Sequence, residues 1–87
     1  MTLFLIHCGF YDEEISDAIY EFHINIPVVA KDLKEAKETV RRHPTFQKKK
    51  MHIDGIQELK TVDGFRIALE KSASETSHIN NIPYRDL

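Results

Sequence analysis

The chain has 87 residues, 41% of them hydrophobic, a formal charge of −2 and a single cysteine. That length holds one domain with a modest core, and a lone cysteine excludes an intramolecular disulfide framework. The slightly acidic balance argues against a protein held to nucleic acid by bulk charge.

The opening "MTLFLIHCGF" is apolar but short and has no basic flank. It reads as a first strand, centred on Thr2–Cys8, rather than a signal peptide or membrane span. Its nearly continuous apolar character suits a central strand covered on both faces. "GFYDEEISDA" follows as an acidic loop. The next segment, Ile19–Val29, alternates: Tyr20, Phe22, Ile24, Ile26 and Val28 face one way, and Glu21, His23 and Asn25 the other. A period of two over this length predicts a strand. Pro27 has no N–H to donate, which places the strand at an edge or gives it a bulge near its end.

Asp32 is the expected N-cap of a helix, with Glu35 three residues on in a capping-box pattern. Leu33, Ala36 and Val40 share one face of that helix, and Pro44 ends it. "MHIDGIQEL" is a third strand in which Met51 and Ile53 oppose His52 and Asp54. Gly55 within it predicts a bulge that lets Ile56 change face. "VDGF" supplies an Asp-Gly turn into a fourth strand, "FRIALE". Residues 71–87 are polar and weakly periodic and read as a tail, so the domain is expected to span 1–70.

The order strand–strand–helix–strand–strand predicts an α+β fold: a four-stranded sheet with one covering helix, in a ubiquitin-like, β-grasp roll with the first strand central. The second and third strands then lie at opposite edges, roughly 14 Å apart at three strand steps. One helix covers one face only, leaving Leu3, Leu5 and His7 on the other as a candidate interface.

The residues His52, Ile53, Asp54, Glu58, Leu59, Val62, Asp63, Gly64, Phe65, Arg66 and Ile67 carry a spaced pattern. Upstream, "EFHINIPVV" places Glu21, His23 and the Val28–Val29 pair. Over roughly residues 1–70 the chain resembles a small, mostly bacterial family known as domain of unknown function number 1543. In that family an acid often directly follows the histidine of the second strand; this chain has Ile24 there. The resemblance implies no established activity.

Charge is unevenly distributed. Residues 1–30 carry Asp12, Glu13, Glu14, Asp17 and Glu21 and no Lys or Arg, whereas Lys37, Arg41, Arg42, Lys48, Lys49 and Lys50 crowd the middle. That basic stretch is the candidate anion-binding segment, though no nucleic-acid motif accompanies it and nucleic acid is the disfavoured partner. His52 and Asp54, at i and i+2, share a strand face and form a candidate ligand-binding pair, with His23 and Glu21 as neighbours. In the four-stranded roll His23 stands too far from His52 for one ion, so no metal or other cofactor is assigned. His7 and Cys8 point to opposite faces, which argues against a thiol nucleophile activated by its neighbour. With no catalytic residue assigned, the sequence favours a cytoplasmic interaction module over an enzyme. Such a module would form a homo-oligomer or bind another protein through the uncovered face or an edge strand. Metal or small-ligand binding at His52 and Asp54 ranks second.

Overall fold

The apolar run that begins at Thr2 continues through Gly9 and ends at Tyr11, forming β1 (Thr2–Tyr11). In the computed structural model, which describes residues 1–87 with the exception of the Ser16 side chain, β1 is the central strand. It pairs antiparallel with β2 (Glu21–Ala30) on one side and β3 (His52–Leu59) on the other, in the order β2-β1-β3. Between β1 and β2 lies one helical turn, α1 (Glu13–Ser16), where the sequence suggested only a loop. Asp12 caps it by accepting from the Glu14 N–H at 3.0 Å.

Alternation along β1 separates two faces. Phe4, Ile6 and Cys8 are buried, together with Ile26, Val28 and Ala30 of β2. The helices lie over this side. In α2 (Leu33–Arg41), Asp32 accepts from the Glu35 N–H at 2.8 Å, and the Glu35 carboxylate reaches back to the Lys31 N–H at 3.3 Å. Ala36 and Val40 are buried; Leu33, expected on the same face, remains half exposed. Pro44 ends α2 but also opens a second short helix, α3 (Pro44–Lys48). Proline suits a first helical position because its missing N–H would lack an intrahelical partner there anyway. The His43 ring Nδ1 caps α3 by accepting from the Thr45 N–H at 3.3 Å. α3 delivers Phe46 to the core, so the expectation of one covering helix is corrected to α2 with α3 beside it.

The expected four-stranded roll is also corrected. The principal sheet has three strands, and the last segment forms a separate hairpin of β4 (Thr61–Val62) and β5 (Phe65–Arg66). Asp63 and Gly64 occupy the turn with φ of 52° and 84°, the left-handed pair a two-residue hairpin requires. A bend at Lys60 separates the hairpin from β3, and Phe65 is 74% exposed. The Ile67 N–H donates to the Lys60 carbonyl at 2.8 Å, so the segment closes on itself as a hairpin and does not extend the sheet. What stands is an α+β protein with a small antiparallel sheet. Among the described residues no helix is long and apolar enough to cross a membrane.

β3 carries an irregularity that matters for everything on the open face. His7 pairs with Gly55, but Cys8 pairs with Ile53, leaving Asp54 as the extra residue of a bulge. Ile53 and Ile56, three apart, both pack against the core as a result. A regular strand would send one of them to each face.

Candidate functional site

The open face is organised in rows by strand register. Gly9 of β1 lies between His23 of β2 and His52 of β3; the adjacent rows are Tyr11–Glu21 and Asn25–His7–Gly55. The bulge turns Asp54 toward the Gly9 row. Four side chains consequently meet above Gly9. His52 Nε2 is 2.6 Å from Glu21 Oε1 and 3.1 Å from Asp54 Oδ1. His23 Nε2 is 3.0 Å from Asp54 Oδ2 and 3.3 Å from Glu21 Oε1.

Gly9 makes this meeting possible. A Cβ there would stand 2.5 Å from Asp54 Oδ2, 2.6 Å from His52 Nε2, and closer still to Glu21 Oε1. Those separations are well inside van der Waals contact, so any other residue would have to push the cluster apart. The side chains are 30–46% exposed, which leaves the donor atoms open to solvent on their outer side. One donor atom each from Glu21, His52 and Asp54 lies within 4.8 Å of the others.

This placement reverses the separation expected for His23 and His52. In a three-stranded sheet β2 and β3 are only two strand steps apart, about 9.6 Å, and side chains from both reach across a glycine. The structure thus brings Glu21, His23, His52 and Asp54 together. His7 stands in the next row and does not share the cluster directly. Its ring stacks on that of His23, with centroids 4.8 Å apart and planes within 4°, and its Nδ1 lies 2.7 Å from Asn25 Oδ1.

Leu3 and Leu5 lie on the same open face, farther along β1, opposite Val29 and Pro27 of β2 and Leu59 and Gln57 of β3. The face is therefore apolar at one end and rich in ligand atoms at the other. Cys8 is on the opposite side: fully buried, its thiol donates to the Ile6 carbonyl at 3.6 Å. Burial, and then the field of Asp54, push that thiol above its ordinary pKa, away from nucleophilic use.

The six candidate cations divide between two elements. Lys37 and Arg41 belong to α2 and Arg42 caps it, while Lys48, Lys49 and Lys50 stand at and beyond the end of α3. Lys49 is engaged by Asp12, at 3.0 Å, and lies over the Phe10 ring.

Gly9 and Asn25 belong to the site and are hard to recognise from sequence. Gly9 ends an apolar run and offers no chemistry of its own; only the pairing of β1 with two polar-faced strands gives it a role.

These observations define the class first: a small α+β protein with two histidines and two carboxylates converging on the open face of its sheet. More than half of the chain, residues 18–69, matches the family described as Domain of Unknown Function (DUF1543), and the protein belongs to that family. The matched span contains all four cluster residues and begins after β1. No curated protein and no solved structure matches the chain.

Proposed function

We propose that the protein binds a divalent transition-metal ion through Glu21, His23, His52 and Asp54. The observation that carries this reading is the convergence of two imidazole nitrogens and two carboxylates, drawn from both outer strands, into space that a side chain at Gly9 would take. Zinc–ligand distances of about 2.0–2.2 Å put neighbouring ligands of a tetrahedral site about 3.3 Å apart. The four nitrogen–oxygen contacts run from 2.6 to 3.3 Å, and Glu21, His52 and Asp54 each present an atom within 4.8 Å of the others; the shortest contact would open by about 0.7 Å to admit an ion, with His23 as the fourth ligand. A mixed nitrogen and oxygen set suits zinc, cobalt, nickel, manganese or iron better than calcium or copper(I).

Titration calorimetry with Zn²⁺ and Co²⁺ tests the reading. One ion per chain is expected, lost in His52→Ala and Asp54→Asn and weakened in His23→Ala and Glu21→Gln. At a free ion concentration of 100 times Kd, stabilisation of about 2.7 kcal/mol should raise Tm by roughly 10–20 °C for a domain of this size. No heat and no change in Tm at millimolar metal would overturn it.

A second reading concerns the other end of the same face. Leu3, Leu5, Val29 and Leu59 present a partly exposed apolar patch, flanked on one side by Glu75, Ser77, His78 and Ile79, which line a hollow together with Leu3 and Val29. Self-association through that patch would make the protein an interaction module as well. Sedimentation of the wild type against Leu5→Lys tests this: a dimer that the lysine dissociates supports it, and a monomer at millimolar concentration removes it.

A further inference from the structure

Beside the histidine–carboxylate cluster the open face sinks into a hollow of about 450 Å³, lined by Leu5, His7, Asn25, Gly55, Ile56 and Gln57. That volume falls at the lower end of the range for small-molecule sites. The hollow begins one row from the cluster, since His7, Asn25 and Gly55 are paired neighbours in register and Gly9, His23 and His52 form the next row. Rows on one face of a strand are about 7 Å apart, close to the length of a pentose.

Two features define what could lie there. The first is charge. A divalent ion held by Glu21 and Asp54 with two neutral imidazoles carries no net charge, and His7 is the only ionisable side chain in the hollow's lining. The second is hydrogen bonding. Asn25 has its Oδ1 beside His7 Nδ1 at 2.7 Å, leaving its amide N–H groups to donate outward. Gln57, exposed in the next row beside Leu5, offers a second amide. Gly55 forms the floor: a Cβ built there meets nothing within 4 Å.

Resting on the metal-binding reading, we propose that the loaded protein takes a small uncharged polyhydroxy compound, a monosaccharide or its open-chain relative. Two adjacent oxygens add to the four protein ligands and expand the shell of the ion from four to six. The remainder lies over Gly55 with its hydroxyls on Asn25 and Gln57 and its carbon face against Leu5.

Co²⁺-loaded protein provides the test, because cobalt absorbance reports both the ion and any change in its ligands. D-Ribose and dihydroxyacetone should shift the visible band in a saturable way. Gly55→Leu should fill the hollow without touching the cluster: Co²⁺ affinity stays within about twofold while the ribose response weakens about tenfold or more. Asn25→Ala should weaken it in the same direction. Glycolate, too short to reach the hollow, serves as the control. A band that responds to glycolate but not to ribose or dihydroxyacetone, or a ribose response unchanged in Gly55→Leu, overturns the proposal and leaves the metal reading standing. Failure of Co²⁺ to bind removes both.

Discussion

The imidazole of His7 lies flat against that of His23, with 4.8 Å between centroids and 4° between planes. His23 points its Nε2 at Asp54 and Glu21, so the stack fixes the ring that faces the carboxylates. Groups that orient a metal-binding histidine commonly account for about 10–100-fold in affinity. His7→Ala should weaken Zn²⁺ binding by about tenfold, whereas His7→Phe, which keeps a flat partner, should recover most of that loss in calorimetry.

Gly9→Ala isolates the cradle from its ligands. The added methyl collides with Glu21, Asp54 and His52 while every donor remains in the sequence. Metal affinity should fall about 100-fold, as large as the loss expected from an outer-shell change at its upper range. Sheet circular dichroism should stay near that of the wild type. An unaltered Kd would show that the four side chains do not act together.

Asp12 gives the protein an acid-sensitive tie between the turn before α1 and the end of α3. Its carboxyl lies below the ordinary carboxylate range, first because Lys49 donates to it, with the Glu14 N–H adding to the effect. A carboxyl lowered on folding contributes stability above its unfolded pKa and loses it as pH falls through the folded value. Urea midpoints should therefore be lower for Asp12→Asn than for the wild type at pH 7, and the two should converge as pH falls through the lowered folded value of Asp12.

Cys8 predicts the opposite limb. Its thiol is raised from 9.0 by burial and by Asp54. A pKa raised on folding gives stability that is complete below the unfolded value and declines as pH rises through the folded one. Alkaline unfolding should thus be less steep in Cys8→Ala. In the wild type at neutral pH, a thiol-specific reagent should label Cys8 only as fast as the chain opens, and rapidly in urea.

Residues 71–87 are exposed throughout, with only the short Tyr84–Asp86 turn as regular structure. Ending the chain at Glu70 should leave Tm within about 2 °C and the metal Kd unchanged, since exposed terminal segments contribute little. A large drop in Tm would place the tail within the cooperative unit.

Much of this fold is readable from residue order. Alternation identifies β2, Asp32 caps α2, Gly55 marks the bulge that brings Ile53 and Ile56 to one side, and Asp63–Gly64 forms the turn. Two errors share a cause in tertiary context. Pro44 is compatible with both the end of one helix and the first residue of another, and only the burial of Phe46 decides for α3. "FRIALE" has a strand's pattern, but the bend at Lys60 carries it away from β3. The candidate site follows the second error. Glu21, His23, His52 and Asp54 are recognisable as polar rows on two strands, yet their meeting depends on how many strands separate them. Adding a fourth strand to the sheet puts them too far apart; removing it places them on either side of one glycine.

β1 contributes no donor to the cluster, yet it is the wedge between the two strands that do. A chain cut between Tyr11 and Glu21 would yield a short peptide bearing Gly9 and a longer piece bearing all four donors. The longer piece alone would have β2 and β3 with nothing between them. Because the ligand geometry exists only when the peptide is seated, zinc should drive the two pieces to recombine, followed as recovered strand ellipticity, and a chelator should release them. The central strand would then behave as a removable part whose docking the ion controls.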